Sequence, residues 1–425
     1  MRFWILLALL CAPGVSAQEQ PSPGGRAETA TYRLPPDKYQ KAVAYSRAKY
    51  RLHFVGVAWG LLTLGALLIL KVAPKYRVLA EVSSRRRFLQ ALVFTPLFLF
   101  TTDLLSLPLQ AYSQQLARFY EQSVQGWGSW LWDWTKGELI GFIIATFLVW
   151  ILYGSIRRSP RRWWFYFWLA SIPIIIFLLF ITPVVIQPLF FKFESLEARQ
   201  PTLVGEIEKV VSRGGLSIPP QRMFEMKASE KLKSVNAYVT GFGASKRVVV
   251  WDTTIEKMTT PQTLFFFGHE MGHYVLGHIP KLIGFVAVVL LVFLFLGYHA
   301  MGWTLSRWGD RLAIREASDW ASLPVLLLFL SLFSFLAEPL TNSFGRRIEH
   351  EADVYGLEVI HGLVPDSAQV AAESFQILGE IYLADPAPSR FIKVWLYDHP
   401  PLAERVVFAR EYDPWSKGEP PRFVR

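Results

Sequence analysis

The 425-residue chain is long enough for two or three domain-sized units, but 52% of its residues are hydrophobic and only 18% are charged. This balance argues against an ordinary soluble globule. Sixteen Trp, 16 Tyr and 32 Phe fit a membrane protein, because amphipathic aromatic rings collect at the bilayer interfaces. The net charge of +10 does not indicate a nucleic-acid partner, because the tightest basic clusters adjoin apolar runs, as is typical of membrane topology. These clusters are Arg85, Arg86, Arg87 and Arg157, Arg158, Arg161, Arg162.

The first 17 residues have the pattern of a secretory signal peptide. Arg2 precedes an apolar run over residues 3–12, and Val15-Ser16-Ala17 supplies small residues for cleavage after Ala17. The single cysteine, Cys11, follows a leucine where a lipoprotein signal would have a small residue. We therefore expect no lipid attachment and a mature chain without a thiol or disulfide. Retention of the segment as a vestigial first span is the alternative.

Six apolar runs follow a polar, proline-containing stretch, residues 18–53, which is expected to be an exposed lead-in ending in a helical pattern. Each run is close to the roughly 20 residues that cross a bilayer as a helix. Buried core helices seldom stay apolar for so long, so the runs are predicted to be membrane spans. They lie at residues 54–73, 88–107, 139–156, 163–187, 282–302 and 320–341.

The spans divide the chain into two predicted domains. Residues 54–187 form an N-terminal membrane domain with four spans, and residues 188–425 form a catalytic domain at one membrane face that includes the last two. In the second domain, residues 203–211 have the pattern of an amphipathic helix. The stretches 237–239 and 248–251, separated by a glycine-containing turn, predict a β-hairpin. The fold class is therefore mainly α, with a small β-hairpin or sheet.

The chemistry is predicted from two motifs, of which the first is His269-Glu270-Met271-Gly272-His273. Its apolar neighbours and the helix-start signal Thr259-Thr260-Pro261 favour a helix, on which His269 and His273 share one face. Such a pair can present two imidazole nitrogens to one zinc ion, while Glu270 acts on the metal-bound water as general base. The alternative is an amphipathic helix with two interfacial histidines, because so short a motif also arises by chance.

The second motif follows about 80 residues later, directly after the sixth apolar run. Asn342, Arg346, Glu349 and Asp353 are spaced four, three and four residues apart, so they form one polar stripe on a helix. The stripe can complete the zinc site, with Glu349 as third ligand and Asp353 orienting a ligand histidine, which leaves a fourth position for water. Glu351 is expected to point away from the metal. A solvated charged face is the alternative.

Further motifs accompany these two in the same order as in a known family. The motifs are GHEMGHYVLGH (268–278), RRIEHEAD (346–353), SVNAY (234–238), KRVVVWDT (246–253), QPLF (187–190) and DHPPL (398–402). Through them the chain resembles the type I CAAX prenyl endopeptidases, the sterile-24-type integral-membrane zinc proteases, over residues 39–407. The resemblance implies a barrel of membrane helices that encloses a chamber, a zinc-protease domain at one mouth, and one Zn²⁺ per chain.

The resemblance also implies roles for three more residues. Asn236 and Ala237 match positions that pair with the backbone of an extended substrate, as an edge strand can. His399 matches a histidine near the zinc that can stabilise the oxyanion of the tetrahedral intermediate. From the residues alone, an ordinary hairpin strand and a helix-capping histidine are the simpler interpretations. His278 is left outside the metal shell, because it can equally be a packing residue.

The chain departs from this family at three points. Gly345 replaces the usual Ser, Tyr274 replaces a frequent Trp, and six spans are counted where the family has seven. The signal-like segment occupies the place of the missing first span. Cleavage after Ala17 would place residue 18 outside, so alternation of the spans predicts a catalytic domain outside the cytoplasm, and the basic short loops agree.

These observations predict a multi-pass zinc metalloendopeptidase of the cell membrane. Its partners are the lipid bilayer and extended peptide or protein substrates, with or without a C-terminal lipid of the CAAX type, and not nucleic acid. Two alternatives stay open. One is a quality-control protease for membrane proteins without prenyl specificity, and the other is a zinc-binding membrane scaffold or transporter in which Glu270 would be dispensable.

Overall fold

The structure, a computed structural model, describes residues 17–19, 32–241 and 245–424. The predicted signal peptide therefore lies outside the described residues, apart from Ala17. Within the described residues, six helices are long and apolar enough to cross a membrane, the number predicted. They are α1 (Pro36–Ile69), α3 (Arg87–Phe119), α4 (Trp127–Arg158), α5 (Trp163–Ile181, continued by a π-helical and a 3₁₀-helical turn to Leu189), α10 (His278–Trp308) and α11 (Leu323–Ile360).

Shorter helices connect the spans and build most of the domain at the membrane face. They are α2 (Val72–Ser83), α6 (Leu196–Arg199), α7 (Pro201–Arg213), α8 (Asp252–Lys257), α9 (Thr260–Val275), α12 (Ser367–Tyr382), α13 (Arg390–Leu396) and α14 (Leu402–Glu411). Helix α7 contains the predicted amphipathic segment, with Leu203, Ile207 and Val210 buried on one face. That face packs into the core beneath the catalytic helices.

The stretch 36–53 differs from the exposed lead-in that the sequence predicted. It is the first half of α1, and Ala42, Tyr45 and Ser46 are buried among the catalytic domain's residues. These three positions recur at helical spacing, while most of the charged residues occupy the other faces. The average polarity of residues 36–53 therefore concealed an amphipathic helix. This helix connects the catalytic domain to the first membrane span.

A four-stranded sheet supports the catalytic helices. Its strand order is β2 (Phe193–Ser195), β3 (Met223–Met226), β5 (Arg247–Trp251) and β4 (Ala237–Thr240). Strands β4 and β5 form the predicted antiparallel hairpin, with Ala237 opposite Val250. Strand β4 is consequently an edge strand with one open side. A separate two-stranded sheet pairs β1 (Ala17–Glu19) in parallel with β6 (Asp385–Ala387).

A cavity of about 820 Å³ lies between the membrane helices and the catalytic domain. Its membrane part is lined by apolar side chains of five of the six long helices, and its other end reaches the histidines of the first motif. The apolar lining includes Leu64, Phe98, Leu179, Leu290 and Leu327. The enclosed chamber that the family resemblance implied is therefore present, and the predicted site opens into it.

Candidate active site

Helix α9 holds the first motif rigidly in the protein interior. It begins with a capping box, in which the Thr259 N–H donates to Gln262 Oε1 at 3.0 Å. Leu264, Phe267 and Met271 bury one face of the helix in the core. The opposite face turns the two histidines toward the cavity, where their Nε2 atoms lie 3.2 Å apart.

The second motif lies on α11, a single helix that continues from the membrane into the catalytic domain. Helices α9 and α11 approach closely at Gly356, where a Cβ atom would lie 2.9 Å from the His269 backbone nitrogen. This close packing brings Glu349 to the histidines. Its Oε2 lies 3.2 Å from His269 Nε2, and its Oε1 lies 3.5 Å from His273 Nε2.

These three side chains fit a tetrahedral metal. Ligands at about 2.0–2.1 Å from a tetrahedral Zn²⁺ are separated by about 3.3 Å, which agrees with the spacing of the nitrogen and oxygen atoms. Glu349 Oε2 is buried and receives no aligned hydrogen bond, as expected for an oxygen that faces a cation. Within the described residues, His269, His273 and Glu349 are the group whose ligand atoms could hold a metal.

A buried ion pair supports the first histidine. Asp353 Oδ1 lies 2.9 Å from His269 Nδ1, on the side of the ring away from Glu349. Arg405 in turn donates to both oxygens of Asp353, from Nε at 2.8 Å and from a terminal nitrogen at 2.5 Å. The sequence placed Asp353 beside a ligand histidine but missed Arg405, because nothing in the pattern of α14 shows which side chain points at α11.

Glu270 lines the cavity next to the first histidine. Burial raises the pKa of Glu270 to about 7, a value suited to a base that exchanges protons near neutral pH. Burial also lowers the pKa of His273 to about 3, which keeps this imidazole in the neutral form that binds metals. The site therefore combines at least one neutral nitrogen donor, His273, with a carboxyl group able to change its charge.

His399 enters the site from the segment between α13 and α14. Its Nε2 lies 3.0 Å from Glu349 Oε2, and its Nδ1 lies 2.9 Å from Asp398 Oδ1. Burial alone would lower the pKa of His399, but the Glu349 and Asp398 carboxylates outweigh it and raise that pKa well above its usual range. The Asp398 contact at Nδ1 fixes the orientation of the imidazole beside Glu349.

Asn342 and Arg346, of the polar stripe on α11, contact the segment that precedes His399. Asn342 Nδ2 donates to the Trp395 carbonyl at 2.5 Å. Arg346 donates to the carbonyls of Lys393, at 3.2 Å, and of Tyr397. Both side chains thus bind backbone carbonyls of the segment that leads into His399.

The edge strand β4 borders the site on its other side. Asn236 lines the cavity, and its Oδ1 accepts a hydrogen bond from the Ala237 N–H at 2.8 Å. The Ala237 side chain is fully buried in the core, so it cannot contact a bound chain. The Asn236 N–H donates to Thr254 Oγ1 at 2.8 Å, which fixes the strand at its start.

A bundle of membrane helices around a chamber, with a His-Glu-x-x-His helix and a glutamate of a second helix at its mouth, defines a multi-span membrane zinc metalloendopeptidase. The sequence pattern of peptidase family M48 matches residues 197–413 of the chain. The pattern described as CAAX prenyl protease N-terminal, five membrane helices, matches residues 20–192. The chain belongs to peptidase family M48, within its CAAX prenyl protease group.

Comparison with individual proteins agrees with this assignment. The chain is 34% identical to an uncharacterized metalloprotease of Bacillus subtilis, covering 94% of this chain and 91% of the relative. It is 27% identical to a CAAX prenyl protease 1 homolog of Oryza sativa, over 89% and 88% of the two chains. The crystal structure of S. mikatae Ste24p superposes with a TM-score of 0.76 at 22% identity, covering 91% of this chain and 93% of that one.

Proposed function

We propose that His269, His273 and Glu349 bind one Zn²⁺ and that Glu270 is the general base of peptide hydrolysis. The observation that carries this proposal is the 3.2–3.5 Å spacing of the three donor groups. A bound zinc ion supplies Lewis-acid polarisation of the peptide carbonyl and lowers the pKa of a coordinated water. Glu270 accepts the proton of the attacking water and delivers it to the leaving amine.

His399 stabilises the charge that develops on the substrate carbonyl oxygen. A preorganised N–H donor in a site shielded from bulk water favours that charge more strongly than water does. The contacts of Asn342 and Arg346 with the preceding segment hold the imidazole in place before substrate arrives. This role explains why the polar stripe of α11 extends beyond Glu349 toward the membrane.

The substrate binds in an extended conformation along β4. An edge strand presents unpaired backbone groups, to which a peptide can add as one more strand. Asn236 lines the same cavity as the metal ligands, and Ala237 begins β4 directly after it, which supports their role in aligning the substrate backbone. The scissile bond would then lie beside Glu270.

We infer that the substrate carries an apolar group next to the peptide that is cut. The cavity continues from the site between the membrane helices, and its lining there is apolar. A C-terminal lipid of the CAAX type and a membrane-spanning segment share this chemistry. Relatives named CAAX prenyl protease 1 homolog support a C-terminal lipid as this apolar group. The resemblance to a bacterial metalloprotease supports a membrane-spanning segment as the second candidate.

Glu270→Gln tests the mechanism, because the substitution removes the base and leaves every proposed ligand. We expect one bound zinc per chain and a kcat reduced by about 10²–10⁴-fold. The assay compares a farnesylated peptide, the same peptide without lipid, and a peptide with a membrane-spanning segment. Glu256→Gln, at an exposed glutamate of α8, is the control. Wild-type hydrolysis by Glu270→Gln would refute the mechanism, whereas equal cleavage of all three peptides would refute only the apolar specificity.

We also propose that the catalytic domain lies outside the cytoplasm. The connection between α3 and α4 contacts the catalytic domain, where the Val124 N–H donates to the Lys231 carbonyl at 3.0 Å. The start of α1 also contacts the catalytic domain, through the Lys38–Glu380 ion pair at 2.8 Å. The basic connections between the other ends of the helices lie at the opposite face, and short basic loops favour the cytoplasm.

A further inference from the structure

The second histidine of the motif contacts a histidine from the next helix. His278 Nδ1 lies 3.0 Å from His273 Nδ1, and the ring centroids are 5.1 Å apart at an angle of 71°. The His278 side chain is buried, with 2% of the residue exposed. On its far side, Nε2 lies 3.3 Å from Glu351 Oε2. A continuous path of polar contacts therefore leads from His273 through His278 to Glu351.

The direction of the hydrogen bonds along this path is set by His273. When His273 uses Nε2 as a ligand, its Nδ1 carries the ring proton and can only donate. His278 Nδ1 must then accept, which places the proton of His278 on Nε2. That N–H can donate only to an acceptor, and Glu351 provides one at 3.3 Å. Each contact has one donor and one acceptor, so the arrangement is self-consistent.

Two cations hold the outer carboxylate in place. Lys281 Nζ lies 3.2 Å from Glu351 Oε2, and Arg347 Nε lies 3.5 Å from Oε1. The Glu351 side chain is itself largely buried, with 14% exposed. These contacts keep an acceptor opposite His278 Nε2 and so keep His278 in the tautomer that accepts from His273.

We propose that His278 and Glu351 are positioning residues that orient the His273 ligand for the metal. The proposal rests on the proposed function, because it requires Nε2 of His273 to be a zinc ligand. Each ligand histidine then has its own carboxylate: Asp353 contacts His269 directly, whereas Glu351 acts on His273 through a second imidazole. Outer-shell hydrogen bonds of this kind fix a ligand's tautomer and ring orientation and strengthen metal binding.

A turn explains how a residue five positions after His273 contacts it. Helix α9 ends at Val275, and Gly277 adopts the left-handed conformation with φ of 65°, which residues other than glycine adopt at a cost. The turn interrupts the helix, so that α10 begins at His278 with its ring against that of His273. In one continuous helix, five residues would rotate the two side chains apart.

The test measures Zn²⁺ affinity of the full-length protein with a competing chelator, and thermal unfolding of the metal-free protein. His278→Leu removes the acceptor while retaining an apolar volume, and we expect zinc to bind about 10–100-fold more weakly. His278→Asn places an amide oxygen near the position of Nδ1, so it should bind zinc at least about tenfold more tightly than His278→Leu does. Glu351→Ala should lie between wild type and His278→Leu. His299→Leu, at an exposed histidine of the same helix, is the control.

The outcomes separate this inference from the proposed function. Unchanged zinc affinity in His273→Ala would overturn the metal site itself. Loss of zinc in His273→Ala together with wild-type affinity in His278→Leu would overturn only the positioning role. Equal weakening in His278→Leu and His278→Asn would also overturn it, because a hydrogen-bond acceptor would then make no difference. If His278→Leu does not fold, His278→Asn and Glu351→Ala decide: wild-type affinity in Glu351→Ala overturns the inference, and weaker binding there than in His278→Asn supports it.

Discussion

Asp353 Oδ1 lies 2.9 Å from His269 Nδ1, and this contact joins the predicted metal site to the stability of the catalytic domain. Asp353 is fully buried, and the Arg405 guanidinium that binds both its oxygens is nearly so. Asp353 therefore neutralises a buried cation and leaves the Nε2 atom of His269 free for a metal. A substitution of Asp353 should therefore change both the zinc affinity and the stability of the catalytic domain.

Asp353→Asn is expected to weaken zinc binding by about 10–100-fold. It should also destabilise the metal-free protein by about 3–5 kcal/mol, because the Arg405 charge would stay buried without a counter-ion. Zinc titration and thermal unfolding of the metal-free protein measure the two effects separately. Asp310→Asn, at an exposed carboxylate, is the control. A variant that lost stability but kept wild-type zinc affinity would show that Asp353 acts only on Arg405.

Glu349→Ala and Glu351→Ala test the register of α11. Side chains two residues apart on a helix point about 200° apart, and the structure places Glu349 at the histidine pair and Glu351 at Lys281 and Arg347. Glu349→Ala should therefore lose zinc, whereas Glu351→Ala should still bind one zinc per chain at saturating metal. Metal analysis of the two purified proteins is the measurement. The reverse result would mean that another face of α11 points at the metal.

Local periodicity predicted much of this architecture. The six spans, the β4–β5 hairpin and the polar stripe of α11 each depend on spacing within one element, which the sequence contains in full. The stretch 36–53 was interpreted as a lead-in because its average polarity hid a buried face. Its burial depends on the catalytic core that α1 contacts, and no spacing within α1 predicts that core.

The parts of the site that the sequence missed all depend on contacts between elements. Arg405 reaches Asp353 from α14, and His278 reaches His273 only because the turn at Gly277 interrupts the helix. Asn342 and Arg346 were placed near the zinc because they share a stripe with Glu349. Helical spacing predicts the face of the helix on which a residue lies, but not which neighbouring segment it contacts. The hydrogen bonds of these two residues to the segment before His399 were therefore not predictable.

His399→Ala tests the stabilisation of charge on the substrate oxygen. Removing one such group is expected to lower kcat by about 10²–10³-fold, with little change in KM, because the contact strengthens only in the transition state. Asn342→Ala should have a smaller effect in the same direction, because His399 remains but loses support through Trp395. Steady-state kinetics with one peptide measure both. His350→Ala, at an exposed histidine, is the control, and a His399→Ala kcat equal to the control's would contradict this role.

The last prediction concerns the side of the membrane on which peptides are cut. The loop 71–87 holds Lys71, Lys75, Arg77, Arg85, Arg86 and Arg87 against Glu81 alone, and residues 157–162 hold four arginines and no acid. Arg157 stacks over Trp320 at 5.1 Å, and Arg77 pairs with Asp319 at 2.5 Å, so these loops and the connection before α11 share one face. That third connection balances three arginines against three acids within residues 303–319 and favours neither side.

Short basic loops stay in the cytoplasm, so the opposite face, with the catalytic domain, should lie outside. The basic segment 188–281 favours the other arrangement, but long folded segments cross the membrane largely regardless of charge. Alkaline phosphatase or a green fluorescent protein fused after Arg425, in bacterial cells, should give phosphatase activity without fluorescence. The same reporters inserted at Arg161 are the matched control and should give the reverse. Fluorescence without phosphatase activity at the C-terminus would place the catalytic domain in the cytoplasm and overturn this orientation, while leaving the zinc chemistry of the site untouched.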